Sequence, residues 1–121
     1  MYIGEGTTID RMCTLIGDVN IGEQCIIAPQ VFISSHSHSY IGHVGVNIRE
    51  LDLLASVKCR AISLYDQVWI GYSSIILPGT QIGKRSVIGA LSKVQGDYSK
   101  GYLVINGNPG VVVKTIPVRE T

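Results

Sequence analysis

The sequence predicts an all-β chain wound as a parallel β-helix. Three observations predict it: aliphatic residues recur every six positions, a small or medium residue fills the fifth place of each unit, and the same pattern resumes after an interruption. From residue 3 the first positions are Ile3, Ile9, Leu15, Ile21, Ile27 and Ile33. The fifth positions are Thr7, Cys13, Val19, Cys25, Val31 and Ser37. The second is usually small (Gly4, Gly22, Ala28, Ser34), with Asp10 and Ile16 as exceptions. A period of six fits neither a helix nor an amphipathic strand. It is the signature of a short-period repeat architecture.

The spacing dictates the geometry. One bulky aliphatic and one smaller residue per unit can both point into a narrow prism. Glycine at position two is expected to serve the bend. Three units make one triangular coil of 18 residues, so Ile3 stacks under Ile21 and Ile9 under Ile27. Adjacent coils pair as parallel strands about 4.8 Å apart.

The first run covers residues 3–38 and predicts two coils. Residues 39–63 lack the period and read as a loop leaving the prism; long loops in compact domains are more often functional than idle. On that loop Leu51, Leu53 and Leu54 are expected to pack on another surface, either the prism or a neighbouring subunit. The period returns at Leu64 and runs to residue 99 through Leu64, Ile70, Ile76, Ile82, Ile88 and Val94, giving two more coils and about four in all. The chain then departs from the repeat. Gly107-Asn108-Pro109-Gly110 is a turn signal, Val111–Val113 a short closing strand, and the tail after Lys114 is expected to fray.

Composition agrees. The chain has 121 residues, enough for a single domain spanning 1–121. Its apolar mass is mainly 17 Ile and 13 Val, which favour strands. A net charge of +1 gives no nucleic-acid signature, and no apolar run is long enough for membrane insertion. Cys13 and Cys25 fall on inward positions as small apolar fillers and Cys59 lies in the interruption; with no secretory signal, the expected compartment is the cytoplasm. The repeat begins at residue 3 with no unit to cap it, so the chain is expected to be either a short natural form or one lacking an N-terminal cap. Ridges of Ile and Val on three flat faces predict an oligomer, and a homotrimer suits a triangular prism.

Four segments resemble a known family. Ile21-Gly22 through Ile27-Ala28-Pro29, His38-Ser39-Tyr40, Val68-Trp69-Ile70-Gly71 with Leu77-Pro78-Gly79 and Ile82-Gly83, and Asn106-Gly107-Asn108-Pro109 occur in this order. Together with the hexads they resemble the left-handed parallel β-helix acyltransferases, and among them the galactoside, maltose and polysaccharide O-acetyltransferases. The resemblance implies acetyl-CoA as co-substrate, bound between two prisms of a trimer, and a small-molecule sugar or glycan as acceptor. It implies no metal.

The resemblance also assigns roles. His38 would be the general base, a task that suits a group with an unperturbed pKa near 6.5; His36 is the second candidate and His43 the third histidine. The backbone N–H of Tyr72 would stabilise the oxyanion. Trp69, Gly71, Ala90 and Lys114 match positions along the acetyl-CoA site. Neither Glu50 nor Asp52 is singled out as the group that orients His38. Gln95, Gly96 and Val111 replace residues the family uses toward CoA, which weakens the expected affinity. Three alternatives stay open: an amino-sugar or antibiotic acetyltransferase, a catalytically inert trimeric β-helix for binding or assembly, and a γ-carbonic-anhydrase-like zinc enzyme. The last lacks a histidine before His36 to complete three ligands.

Overall fold

The computed structural model describes residues 1–40, 42, 44–54 and 58–120. Its strands stack into three faces of a parallel β-helix of about five turns. The first face holds Tyr2–Ile3, Val19–Ile21, Ile62–Leu64, Gln81–Ile82 and Asp97–Tyr98. The second holds Thr8–Ile9, Ile26–Ile27, Trp69–Ile70, Val87–Ile88 and Leu103–Asn106. The third holds Thr14–Ile16, Phe32–Ser34, Ile75–Ile76 and Lys93–Val94.

The register follows the 18-residue spacing. Ile3 pairs with Ile21, Ile9 with Ile27, Ile70 with Ile88, and Ile76 with Val94. The interruption leaves the stacking intact, because Ile21 pairs with Leu64 and Ile27 with Ile70. First-position residues Ile21, Ile33, Ile70, Ile76, Ile82, Ile88 and Val94 are fully buried. Each such side chain contributes about 1.5–3 kcal/mol by leaving water.

The fifth positions do more than leave room. Ser74 Oγ donates to the Gly89 carbonyl at 2.9 Å, and Ser92 Oγ accepts from the Gly107 amide at 3.0 Å. Thr7 Oγ1 accepts from the Cys25 amide at 3.0 Å. These hydroxyls tie one turn to the next where corner amides would otherwise lie buried without partners.

Four expectations need correction. The bend falls on position four, where Met12, Gln24, Gln30, Gln67, Ser73, Arg85 and Leu91 all adopt φ between 54° and 61°. Position-two glycine answers to stacking instead: a Cβ on Gly71 would sit 2.6 Å from the Ala90 nitrogen and 2.7 Å from the Ile88 carbonyl oxygen. Secondly, the period returns at Ile62, already buried in the first face, and the excursion begins earlier, because His36–Ser37 pairs antiparallel with Lys58–Cys59 outside the prism.

Thirdly, a fifth turn follows residue 96. Tyr98 pairs with Ile82 and Ile105 with Ile88, so Tyr98 stands where a first-position residue would. The hexads miss it because two units change length, which hides the register. Finally, the chain stays attached for two residues past Lys114. Val111–Thr115 runs back along Leu103–Asn106, Thr115 faces Leu103, and the Ile116 amide donates to the Tyr102 carbonyl at 2.6 Å.

The excursion carries a short helix, Ile48–Leu54. Asn47 caps it: its side-chain oxygen accepts from the Glu50 amide at 2.9 Å, and Glu50 returns to the Asn47 side chain at 2.7 Å. Leu51 is buried and Leu53 exposed, so the loop leucines divide; the Leu54 side chain lies outside the described residues. Among the described residues no helix is long and apolar enough to cross a membrane.

Candidate active site

His38 stands in the excursion, just beyond the strand pair that opens it, rather than at a corner of the prism. Its Nδ1 lies 2.6 Å from Asp52 Oδ2. The other carboxylate oxygen, Oδ1, accepts the Ser39 amide at 3.3 Å, which joins the two ends of the loop. An ionised carboxylate only accepts, so Nδ1 carries the proton and Nε2 keeps its lone pair in the neutral ring. The hydrogen bond from His38 holds the Asp52 carboxyl below its ordinary value; the Ser39 amide and the Arg49 charge act in the same direction, and partial desolvation opposes them.

Asp52 is the residue that sequence reasoning left unassigned beside Glu50. Glu50 is engaged by the Asn47 cap, which leaves Asp52 for the histidine. The signal was present: Asn47-x-x-Glu50 is a helix-start pattern, and the turn it initiates carries Asp52.

The His38 side chain is 79% exposed and borders three grooves. One, of about 340 Å³, is lined by Ser37, Tyr40, Lys58, Arg60 and Pro78 as well as His38. A second, of about 270 Å³, adds Ile48, Arg49 and Asp52. The third, of about 400 Å³, runs along the third face past Phe32, His36 and Leu77. His36 faces Cys59 across the strand pair. His43 lies outside the described residues.

The other expected site residues gather elsewhere on the prism. Gly71 and Tyr72 form the corner between the second and third faces, and Ala90 sits above them one turn on; the Leu91 amide donates to the Tyr72 carbonyl at 2.8 Å. Among the described residues the Tyr72 amide donates no hydrogen bond. Trp69 is 51% exposed on the second face. It lies in one outward column with Ile26, Val87, Val104 and Lys114, three strand spacings below the lysine. A groove of about 570 Å³ runs beside it, bordered by Gln24, Arg85 and Ile116.

Within one chain, then, Tyr72, Gly71 and Ala90 meet at one corner and Trp69 and Lys114 share the adjoining face, but His38 is not among them. The third face intervenes, and Tyr72 precedes Pro78, at the edge of the His38 groove, by six residues. Six residues of chain span at most about 20 Å. Gln95 spends its side-chain amide on the Pro78 carbonyl at 3.0 Å, and Val111 lies exposed on the closing strand.

The chain is thus a prism of stacked hexads that carries a histidine–carboxylate pair on its long excursion. Residues 1–35 match the family described as bacterial transferase hexapeptide (six repeats). The chain is 33% identical over 122 residues to the galactoside O-acetyltransferase of Escherichia coli K12, covering 99% of this chain and 56% of the relative. Among solved structures it is similar to a maltose O-acetyltransferase from Clostridium difficile 630, with a TM-score of 0.83 and 30% identity over 96% of this chain and 59% of that one. It is also similar to a hexapeptide-repeat acetyltransferase from Vibrio cholerae O1 biovar eltor complexed with acetyl coenzyme A, with a TM-score of 0.79 and 27% identity over 96% and 60% of the two chains. The chain spans about half the length of the curated relatives it matches.

Proposed function

We propose that this protein transfers an acetyl group from acetyl-CoA to a hydroxyl of a sugar or polysaccharide. The observation that carries the reading is the 2.6 Å contact between His38 and Asp52, which leaves Nε2 open to the grooves. Nε2 takes the proton of the acceptor hydroxyl as the oxygen attacks the thioester carbonyl. A new C–O bond forms, the C–S bond breaks, and the proton passes to the departing CoA thiolate. Asp52 fixes the ring and stabilises the imidazolium that forms between the two steps.

The free Tyr72 amide is the donor we assign to the developing oxyanion. The small Ala90 above it leaves room for the pantetheine arm, Gly71 lets the coil stack closely at that corner, and Trp69 with the Lys114 ammonium suits the remainder of CoA. Because this corner and His38 lie on opposite sides of the third face, the site is completed between subunits: a homotrimer sets the corner of one prism beside His38 of the next. The location we infer is the cytoplasm, and the free thiols Cys13, Cys25 and Cys59 suit a reducing compartment.

A second reading, an inert trimeric β-helix, is favoured by Gln95 and Val111, which offer CoA no charge. Calorimetric titration with acetyl-CoA separates the two. Saturable binding near one site per chain supports transfer, and no heat up to millimolar concentration supports the scaffold.

A further inference from the structure

We propose that the groove beside His38 selects acceptors carrying an oxyanion, a carboxylate or phosphate on the sugar that presents the reacting hydroxyl; this rests on the acetyl-transfer reading above. The groove of about 340 Å³ brings Lys58 and Arg60 to the same opening as His38. Among the described residues its lining holds no carboxylate. The sole ion pair among the described residues is His38–Asp52, and Asp52 borders a different groove, with Ile48 and Arg49. Lys58 and Arg60 therefore face the opening without acidic partners.

Both cations are mounted on fixed backbone. Lys58 is paired opposite Ser37 in the antiparallel strands that lead into His38. The Arg60 amide donates to the Ser35 carbonyl at 2.9 Å, and its own carbonyl accepts from the Gly79 amide at 3.0 Å. Its guanidinium carbon lies over Gly79, 3.5 Å from where a Cβ would be. An isolated surface cation usually contributes little. Two of them, lining one concave opening together with a base, concentrate positive potential where an acceptor must enter. Arginine adds a planar fork matched to a carboxylate or phosphate.

The phosphates of CoA do not account for these charges. The thioester carbonyl must meet the acceptor hydroxyl at His38, and the extended pantetheine arm keeps the phosphates far from that point. An anion in this groove therefore belongs to the acceptor. Serine and tyrosine hydroxyls at the same opening, from Ser37 and Tyr40, suit the remaining sugar hydroxyls.

The test compares glucose, glucuronate and glucose 6-phosphate as acceptors with acetyl-CoA at fixed concentration. Binding of the same three sugars is followed by saturation-transfer NMR. The wild-type chain is expected to favour at least one anionic sugar over glucose by about 10- to 100-fold in kcat/KM, the scale of one or two hydrogen bonds to a charged group. The preference should shrink as salt is raised. In Lys58→Gln/Arg60→Gln the ratio should fall to near one. Equal use of charged and neutral sugars, or a preference that survives in the double variant, would overturn the proposal while leaving acetyl transfer standing. Charged sugars that bind the wild type and not the variant, with no acetyl transfer to any sugar, would uphold the anion groove and overturn the enzyme reading. Loss of both binding and transfer would overturn both. Of the two anionic arms, the stronger identifies the acceptor's group as carboxylate or phosphate.

Discussion

His38 and Asp52 are fourteen residues apart in sequence, and a capped helix of seven residues brings Asp52 Oδ2 to 2.6 Å from His38 Nδ1. The carboxylate fixes which ring nitrogen holds the proton. Asp52→Asn offers an amide that can present either an oxygen or an N–H, so the tautomer is no longer set. We expect kcat to fall by about 10- to 100-fold, within the range that general-base catalysis supplies, with KM for acetyl-CoA within about twofold. Steady-state kinetics of both substrates checks it. Asp52→Glu should recover part of the rate.

The same pair sets an acid dependence. Asp52 titrates below its ordinary 3.8 because the His38 hydrogen bond favours the charged form. Its contribution to stability is present above that ordinary value and is lost as pH falls through the lowered folded-state value. An NMR titration of the Asp52 side-chain carbonyl should give a midpoint below 3.8 in the wild type, and His38→Gln should move it upward. A midpoint at or above the ordinary value would show that the pair is not formed in solution.

Gly71 is small because the next coil lies directly over it. The atoms a Cβ would meet belong to backbone, at Ala90 and Ile88, and cannot swing aside. Gly71→Ala is expected to cost about 1–3 kcal/mol, the usual scale of overpacking. Urea denaturation followed by far-ultraviolet circular dichroism reads it directly. A neutral result would mean that the coils are not stacked in this register.

Met12 is exposed, lines none of the His38 grooves, and is held at a φ of 59°. Met12→Gly should be tolerated within about 1 kcal/mol, since relief of the left-handed strain offsets the added chain entropy. Met12→Val should be clearly worse, because a β-branched residue is a poor occupant of that region. The difference between the two midpoints isolates the position-four bend from side-chain contacts.

The three thiols should separate in reactivity. Cys59 is exposed and Cys13 half-buried, whereas Cys25 is buried and its thiol is pushed above its ordinary value by desolvation. A disulfide reagent at neutral pH should label Cys59 first and reach Cys25 only on unfolding.

What was legible in the sequence was whatever the 18-residue register fixes. Ile3, Ile21 and Leu64 align because each occupies the same place in its unit, even though a long insertion separates the last two. The fifth turn was hidden because Tyr98 and Ile105 keep the stack while their spacing changes; pattern matching sees spacing, whereas backbone pairing tolerates a shortened corner. The role of position two was misjudged for a related reason. A glycine needed for φ and a glycine needed for clearance look alike in sequence, and only the stacked coil above Gly71 tells them apart. The partner of His38 depends on how the excursion folds back. Hexads say nothing about that path, although the Asn47–Glu50 cap announced the helix that determines it.

The most direct test of the account is the rate of CoA thiol release from acetyl-CoA in the presence of sugar acceptors, wild type against His38→Ala. The account predicts a loss of about 100-fold or more, the scale of a missing general base, with the circular dichroism spectrum and acetyl-CoA binding unchanged. A folded His38→Ala chain that transfers acetyl groups at the wild-type rate would contradict it.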